Sequence, residues 1–380
     1  MVKILGYHLF ALVYNLCRLF PIKDKQILCI TTHDDGEGSN VNLAAKAIKE
    51  KAEGYSFSYI TKADTNQVKG SKGIGKRLSF FFRKPYQMSR SCIILMDNIF
   101  LPLSCMKIRK ETTVVQLWHG TGSIKKFGQD VNTGKLKKLE WKANRNITHL
   151  IVNSEKTREI YAKAFGIEER CVYPIGLPKT DEIIKGMEEI KKTGINSDKD
   201  AIYRRYSIPE NHKLILYAPT FRDDGQDRLR TAQLLLSIQK GLPEDYHLGL
   251  RLHPFVAEAY GDASLPERVY QLSFEPDLTS VLMASDVLIT DYSSIVFEYC
   301  LIERPMLFYA YDLEEFSDSG RGFYEDYESF VPGPVVKGGA EAAKIIRENN
   351  FDIDKIKEFN ARNFSCADGK AGGRLLDLIL

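Results

Sequence analysis

Short, uninterrupted apolar runs alternate with helix-patterned segments along most of this chain, and that alternation restricts its fold more than any other feature. Residues 26–32 (Gln-Ile-Leu-Cys-Ile-Thr-Thr) read as a strand, 42–51 as a helix and 56–61 as a strand; further strands follow at 92–96, 113–118, 149–152 and 172–175. A strand that is apolar at successive positions must be covered on both faces, the condition of a parallel sheet flanked by helices. Between residues 184 and 200 the pattern changes to a Lys/Glu-rich helix followed by Gly194, Asn196, Ser197 and Asp198, with no strand signal. A second series then begins, with strands at 213–217, 246–252, 287–290 and 305–309 and helices near 229–239, 279–285, 295–301 and 340–349.

A chain of 380 residues exceeds what one core usually organises. The expected α/β architecture is therefore two doubly wound, Rossmann-like domains, residues 22–195 and 200–365, with an amino-terminal helix over 1–21 and a carboxy-terminal helix over 366–380. Two such sheets facing each other across a cleft would turn their strand carboxyl ends, where ligands bind, towards it.

The balance of 53 basic against 50 acidic residues, formally +3, gives no reason to expect nucleic acid as a partner. Seven cysteines, an odd number without a C-x-x-C pair, read as reduced thiols packed as small hydrophobes. No two histidines stand at helical ligand spacing and no H-E-x-x-H occurs, so no metal site is expected.

The first 20 residues are mostly apolar. No small-residue cleavage site precedes Pro21, and Lys3 and Arg18 bracket 14 residues, too few to span a bilayer. On a helical projection Lys3, His8, Asn15 and Arg18 fall in one stripe, while Leu5, Leu9, Phe10, Leu12, Val13, Leu16 and Phe20 occupy the remainder. That pattern fits a helix lying in a membrane interface or packing on its own domain, with Pro21 ending it.

Three strand ends carry the chemistry. His119 follows Val114-Val-Gln-Leu-Trp118 and precedes Gly120, Thr121 and Gly122, with Lys125 and Lys126 close behind. A neutral imidazole there can take a hydroxyl proton, glycines let backbone and substrate approach, and the lysines can face phosphate. Arg222 ends the run Leu214–Phe221, where a guanidinium fork could clamp phosphate or pair with Asp223 or Asp224. Arg251 and His253, before Pro254, repeat the device, with His253 suited to stabilise leaving-group charge. Thr290, Asp291, Ser293 and Ser294 form a polar turn before a helix whose free N–H groups could meet an anion, and Glu298, one turn in, could accept ribose hydroxyls.

Two glycine-rich segments fail as nucleotide loops. Gly70-Ser-Lys-Gly-Ile-Gly-Lys-Arg77 has Arg77 where a P-loop needs Ser or Thr and follows no strand, and reads as a basic loop. His33-Asp-Asp-Gly-Glu-Gly-Ser-Asn40 lacks the third glycine of a dinucleotide fingerprint; it reads as a loop at the cleft edge, near the acceptor.

Taken in order, His119-Gly-Thr121, Tyr217-Ala-Pro-Thr-Phe-Arg222, Arg251-Leu-His-Pro254, Thr290-Asp-Tyr-Ser-Ser294, Arg304-Pro305, Arg321-Gly-Phe-Tyr324 and Pro332-Gly-Pro334 resemble the CDP-glycerol glycerophosphotransferases of teichoic acid synthesis, over about residues 110–370. The resemblance implies a GT-B fold, no cofactor or protein-bound metal, and a peripheral position on the cytoplasmic face of the cell membrane. It also implies a CDP-glycerol donor and an undecaprenyl-diphosphate-linked amino-sugar acceptor. The family's two histidines map to His119 and His253. With the roles read from the residues, His119 is expected as base, and Arg222, Arg251, Thr290, Asp291, Ser293, Ser294 and Glu298 on the donor side, Asp291 orienting His253 or binding glycerol; Gly120, Thr121, Lys125 and Lys126 are expected as phosphate or acceptor contacts.

Polymerases of the family generally continue His-Gly-Thr with Pro-Leu-Lys. Gly122-Ser-Ile-Lys-Lys-Phe-Gly128 and Pro178-Lys-Thr-Asp181 are nearer the primase pattern, whereas Gly120 is polymerase-like. The expectation is a teichoic acid primase releasing CMP. The alternatives are a glycerol- or ribitol-phosphate polymerase, a GT-B sugar transferase releasing a nucleoside diphosphate, and a non-catalytic membrane scaffold.

Overall fold

The computed structural model describes residues 2–69, 74–222, 227–253, 256–258, 265–319 and 322–380. Met1, residues 70–73 of the glycine-rich segment, Asp223, Asp224, Pro254 and Arg321 lie outside the described residues.

Two compact units emerge. The first comprises Met1–Thr121, Phe127–Asp181 and Phe364–Leu380; the second comprises Gly122–Lys126 and Glu182–Asn363. The first holds a sheet of strands β1 (Lys23–Thr31), β2 (Ser56–Thr61), β3 (Ser91–Met96), β4 (Thr113–Gln116), β5 (His149–Ile151) and β6 (Val172–Tyr173), in the order β2-β1-β3-β4-β5-β6. Every described pairing in it is parallel. Ile27, Leu28, Cys29 and Ile30 are all buried, because β1 lies between β2 and β3 with core on both faces.

The second sheet contains β7 (Lys213–Ala218), β8 (Tyr246–Leu250), β9 (Val269–Gln271), β10 (Val287–Thr290), β11 (Met306–Tyr309) and β12 (Val335–Val336), in the order β12-β11-β10-β7-β8-β9 and again parallel. Both are doubly wound sheets of the GT-B class, and each has a point where strand order reverses: between β1 and β3, and between β7 and β10. The strands read from the apolar runs are present. The two- and three-residue β12 and β9 are too short to leave a periodic signal.

The compact units divide the chain earlier than the 184–200 composition shift. The helix Pro178–Thr193 belongs to the second unit from Glu182 onward, and Gly186 lies so close to Met283 that an added Cβ would sit 3.0 Å from its Cε. The terminal helix Ala371–Ile379 belongs to the first unit, where the Asp181 carboxylate accepts the Ala371 and Gly372 backbone N–H groups at 3.0 and 2.8 Å. Residues 74–77 are not loop: they open the helix Ile74–Ser89, preceded by another at Lys62–Lys69.

The amino-terminal helix runs Val2–Cys17, ending before Pro21. Its apolar side is divided. Phe10, Ala11, Val13 and Tyr14 are buried, with Phe10 against Phe80 and Phe100 at ring-centroid distances of 5.5 and 5.6 Å. Leu5, Leu12 and Leu16 remain 72%, 57% and 59% exposed, and Leu78 and Phe82 of the helix Ile74–Ser89 that packs against this one are exposed as well. Among the described residues no helix is long and apolar enough to cross a membrane.

Candidate functional site

In the first unit His119 stands three residues beyond β4, in the loop after the strand. Its Nδ1 is 3.0 Å from the Asp97 carbonyl oxygen. A carbonyl only accepts, so Nδ1 carries the hydrogen and the Nε2 lone pair is left for a substrate proton. The ring is stacked on His33, centroids 3.6 Å apart and 16° from parallel, with Trp118 at 4.1 Å. Burial, reinforced by His33 and by Lys179, pushes the His119 imidazole down to about 3. His33 is shifted the same way, chiefly by burial.

Trp118 adopts φ +53°, a left-handed conformation unusual for a bulky residue. It is held there by its own N–H on the Gln116 side chain at 2.9 Å and by Asn40, whose amide reaches the Trp118 carbonyl at 3.2 Å. Asn40 also accepts the Lys179 N–H at 3.0 Å, which ties the start of the Pro178-Lys-Thr-Asp181 segment to the His119 loop. Gly120 and Thr121 are buried, their carbonyls taken by the Tyr161 hydroxyl at 3.2 Å and the Asn153 amide at 2.6 Å.

Residues 122–126 count with the second unit. Lys126 N–H donates to the Gly322 carbonyl at 3.0 Å and Tyr324 N–H to that of Ile124 at 3.1 Å, while the Lys125 ammonium stands 5.8 Å from the Phe316 ring centre. Glycine is required at Gly122 and, in the first unit, at Gly128. A Cβ on Gly122 would meet the Phe297 ring at 2.6 Å; Gly128, at φ +58°, would put one 2.1 Å from the Ala164 carbonyl oxygen.

In the second unit Arg222 is engaged differently from a free phosphate clamp. Its Nε and Nη2 donate to Asp312 at 2.8 and 3.1 Å, Nη2 lies 3.0 Å from Asp291, and Nη1 donates to the Thr220 carbonyl at 2.6 Å. Among the described residues its carboxylate partners are Asp291 and Asp312; Asp223 and Asp224 lie outside them. The guanidinium also lies 5.0 Å from the ring centres of Tyr292 and Phe316. Burial opposes charge on Arg222, but the two carboxylates outweigh it and raise its pKa further. Burial likewise raises Asp312, and Arg222 with the Tyr292 hydroxyl outweighs that and holds the carboxyl low.

Asp291 accepts the Thr220 and Tyr292 N–H groups at 2.8 and 2.6 Å, so it joins the loops after β7 and β10. Thr290 is spent on the sheet, its hydroxyl donating to the Ala218 carbonyl at 2.7 Å. Arg251 likewise turns Nη1 to the carbonyls of Leu272 and Glu275, both at 2.7 Å. His253 is exposed and stacked on Phe221, centroids 4.7 Å apart. Ser293 and Ser294 are half-buried before the short helix Ile295–Tyr299, and Glu298 within it is buried. Arg304 bonds the carbonyls of Met283 and Ser285.

Sequence reasoning missed His33 as a partner of His119, and missed Asp97, Asn40, Lys179 and Asp312. Asp97 had a legible signal, an acidic residue directly after the apolar run 92–96. Thr220 was also passed over; its hydroxyl oxygen is buried without a hydrogen-bond partner, which suits a ligand oxygen. Among the described residues no three His, Cys, Asp or Glu side chains gather as a metal-holding group.

The sequence signature described as CDP-Glycerol:Poly(glycerophosphate) glycerophosphotransferase matches residues 12–380. The teichoic acid poly(ribitol-phosphate) polymerase of Bacillus spizizenii is 32% identical over the whole chain, which spans 60% of that protein's length. The teichoic acid ribitol-phosphate primase of the same organism is 31% identical over 97% of this chain and 95% of its own. The teichoic acid glycerol-phosphate primase of Bacillus subtilis is 34% identical over 77% of this chain and 74% of its own. Among solved structures, the wall teichoic acid polymerase TagF superposes with TM-score 0.79 at 23% identity, covering 97% of this chain and 92% of that one. A UDP-GlcNAc 2-epimerase from Neisseria meningitidis gives 0.62 at 13%, covering 93% and 99%. These two likenesses speak for the fold.

Proposed function

The chain belongs to the CDP-glycerol:poly(glycerophosphate) glycerophosphotransferase family, and we propose that it is a primase-type transferase that moves glycerol 3-phosphate from CDP-glycerol onto a hydroxyl of an undecaprenyl-diphosphate-linked amino-sugar disaccharide. His119 Nε2 takes the hydroxyl proton, the oxygen attacks the glycerol-bearing β-phosphorus, and the P–O bond to the bridging oxygen breaks to release CMP. The observation that carries this reading is the Nδ1 contact of His119 with the Asp97 carbonyl, which leaves Nε2 as the basic nitrogen. An isolated imidazole held so low is a weak base, and an anionic substrate drawing near raises it towards the working range.

On the donor side the exposed His253 stabilises the leaving phosphate, joined by Ser293, Ser294 and the Thr220 hydroxyl, with Glu298 at the ribose. Arg222 acts through Asp291 and Asp312, setting the loops after β7 and β10. Arg251 and Thr290 support that frame from behind. Gly122–Gly128 favours the primase reading over the polymerase, since this segment follows the primase pattern. The second donor reading is CDP-ribitol, favoured by the ribitol-phosphate relatives that align over 97–100% of the chain.

Each choice has its measurement. Purified protein with a synthetic lipid-linked disaccharide and either CDP-glycerol or CDP-ribitol is followed by mass spectrometry. One glycerol phosphate added with CMP released supports the reading; a ladder means polymerase, ribitol addition means the other donor, and nucleoside diphosphate means a sugar transferase. Near-normal turnover by His119→Ala would remove the base.

The exposed leucines of the Val2–Cys17 helix, with Leu78 and Phe82, support peripheral attachment to the cytoplasmic face of the membrane. Deleting the helix would also remove Phe10 and Tyr14 from the core, each worth about 1.5–3 kcal/mol. Leu5, Leu12 and Leu16 changed together to Ser test attachment without that loss: sedimentation with anionic vesicles should fall, and unchanged binding would end the membrane assignment.

A further inference from the structure

We propose that Asp97 and His33 are positioning residues for His119: one buried residue at the end of β3 fixes the loops on both sides so that the two imidazoles stack and His119 presents Nε2 outward. The inference rests on the reading of His119 as the base. β3 lies between β1 and β4, so Asp97, the first residue beyond it, stands between the loops that carry His33 and His119. Each of its polar groups is used. The Asp97 N–H donates to the Ile30 carbonyl at 3.2 Å, and its carbonyl faces His119 Nδ1 at 3.0 Å. Its carboxylate accepts the backbone N–H groups of Thr32 and His33, both at 3.0 Å, and of Asp34 at 2.7 Å.

A buried carboxylate is costly; these three N–H groups offset part of that cost, and burial still raises the Asp97 carboxyl from its ordinary value. The arrangement spends that cost on position. It pins residues 32–34 directly, and the peptide that carries the carboxylate selects the His119 tautomer through its carbonyl. Asn144 and Asn153 are other buried polar residues of this unit, and their amides each bond a single carbonyl, of Phe165 and Thr121; Asp97, like Asn40, joins segments that follow different strands.

Stacking at 3.6 Å has an electrostatic consequence. Charge on one ring disfavours charge on the other, and the contact removes water from both faces. The ionisable groups near the pair are Asp34, which favours a charged His33, the opposing Lys62 and Lys179, and Asp97 itself. With His33 in place, His119 stays neutral through the weakly acid range; without it, the imidazole would charge at a less acid pH.

The test is an imidazole titration of the full chain carrying ¹⁵N-histidine, with His33→Ala, His33→Phe and Asp97→Asn beside the parent. In the parent, His119 should hold its hydrogen on Nδ1 from about pH 8 to about pH 5. His33→Ala should raise its titration midpoint by about one pH unit or more, whereas His33→Phe, which keeps a flat uncharged partner, should leave it low. Asp97→Asn should mix the two tautomers and lower kcat roughly tenfold, with donor KM unchanged. A hydrogen on Nε2 in the parent, or equal midpoints in the parent and His33→Ala, would overturn the proposal. If Asp97→Asn does not fold, the two His33 variants decide. Tautomer and midpoint are read without turnover, so an active His119→Ala would defeat the base assignment while leaving this result to stand or fall separately.

Discussion

At the strand-order reversal of the first sheet two imidazoles lie face to face at 3.6 Å, while at that of the second a guanidinium sits between Asp291 and Asp312 at about hydrogen-bonding distance. Both are built from loops after parallel strands; Arg222 and Asp291 are buried, whereas His119 is half-buried and His33 exposed beside it. Burial acts against charge in each. In the first unit it prevails, because no carboxylate oxygen bonds the rings, and the histidines are held neutral. In the second it is outweighed by three formal charges with near-ideal hydrogen bonds. Neutral rings can take up a proton once an anionic substrate draws near. A fixed ion network cannot, but it holds the loops after β7, β10 and β11 in one geometry.

This contrast can be broken by substitution. His119→Ala should lower kcat about 10²–10⁴-fold with little change in the urea midpoint. Arg222→Met strands the buried Asp291 and the half-buried Asp312 and should lower stability by about 3 kcal/mol in urea denaturation. If His119→Ala unfolded the chain and Arg222→Met left its stability intact, the division of labour would be reversed.

Acid should separate the units in sequence. His33 and His119 are held below the ordinary histidine value, so unfolded chain binds more protons than folded chain as pH drops below about 6.5. Their cost in stability therefore grows from that point down towards the folded His119 value of about 3. Asp312, whose carboxyl is held low, contributes stability above the ordinary aspartate value of about 3.9 and loses it as pH falls through its lower folded value. Hydrogen exchange against pH should show β3 and β4 loosening at milder acidity than β7 and β10. The reverse order would contradict the electrostatic comparison.

Smaller effects sharpen the picture. Gly128→Ala meets both a left-handed backbone and the Ala164 carbonyl, and should cost about 1–3 kcal/mol by thermal unfolding. Leu5, Leu12 and Leu16 changed to Ser should alter folding stability by about 0.5 kcal/mol or less each while weakening vesicle binding.

Much of this was legible in the chain. Apolar strands between helices specify parallel sheets, and His119, Arg222 and His253 each follow such a run, so their places at strand ends follow from the local pattern. The Val2–Cys17 helix shows the limit of that reasoning. Its projection separates polar from apolar residues, yet does not say that Phe10 and Tyr14 go to the core while Leu5 and Leu12 stay outside, because the helix Ile74–Ser89 chooses between them.

The sequence by itself determined two doubly wound units and the family, since periodicity and motif order are local properties of the chain. Only the tertiary structure decided that His33 stacks on His119 under Asp97, and that Arg222 takes Asp312, 90 residues away, as its partner. Strand order sets which loops become neighbours, and hydrogen bonds and ring contacts act over a few ångströms. A partner 60 or 90 residues distant therefore leaves no mark on spacing until the sheet has brought it close.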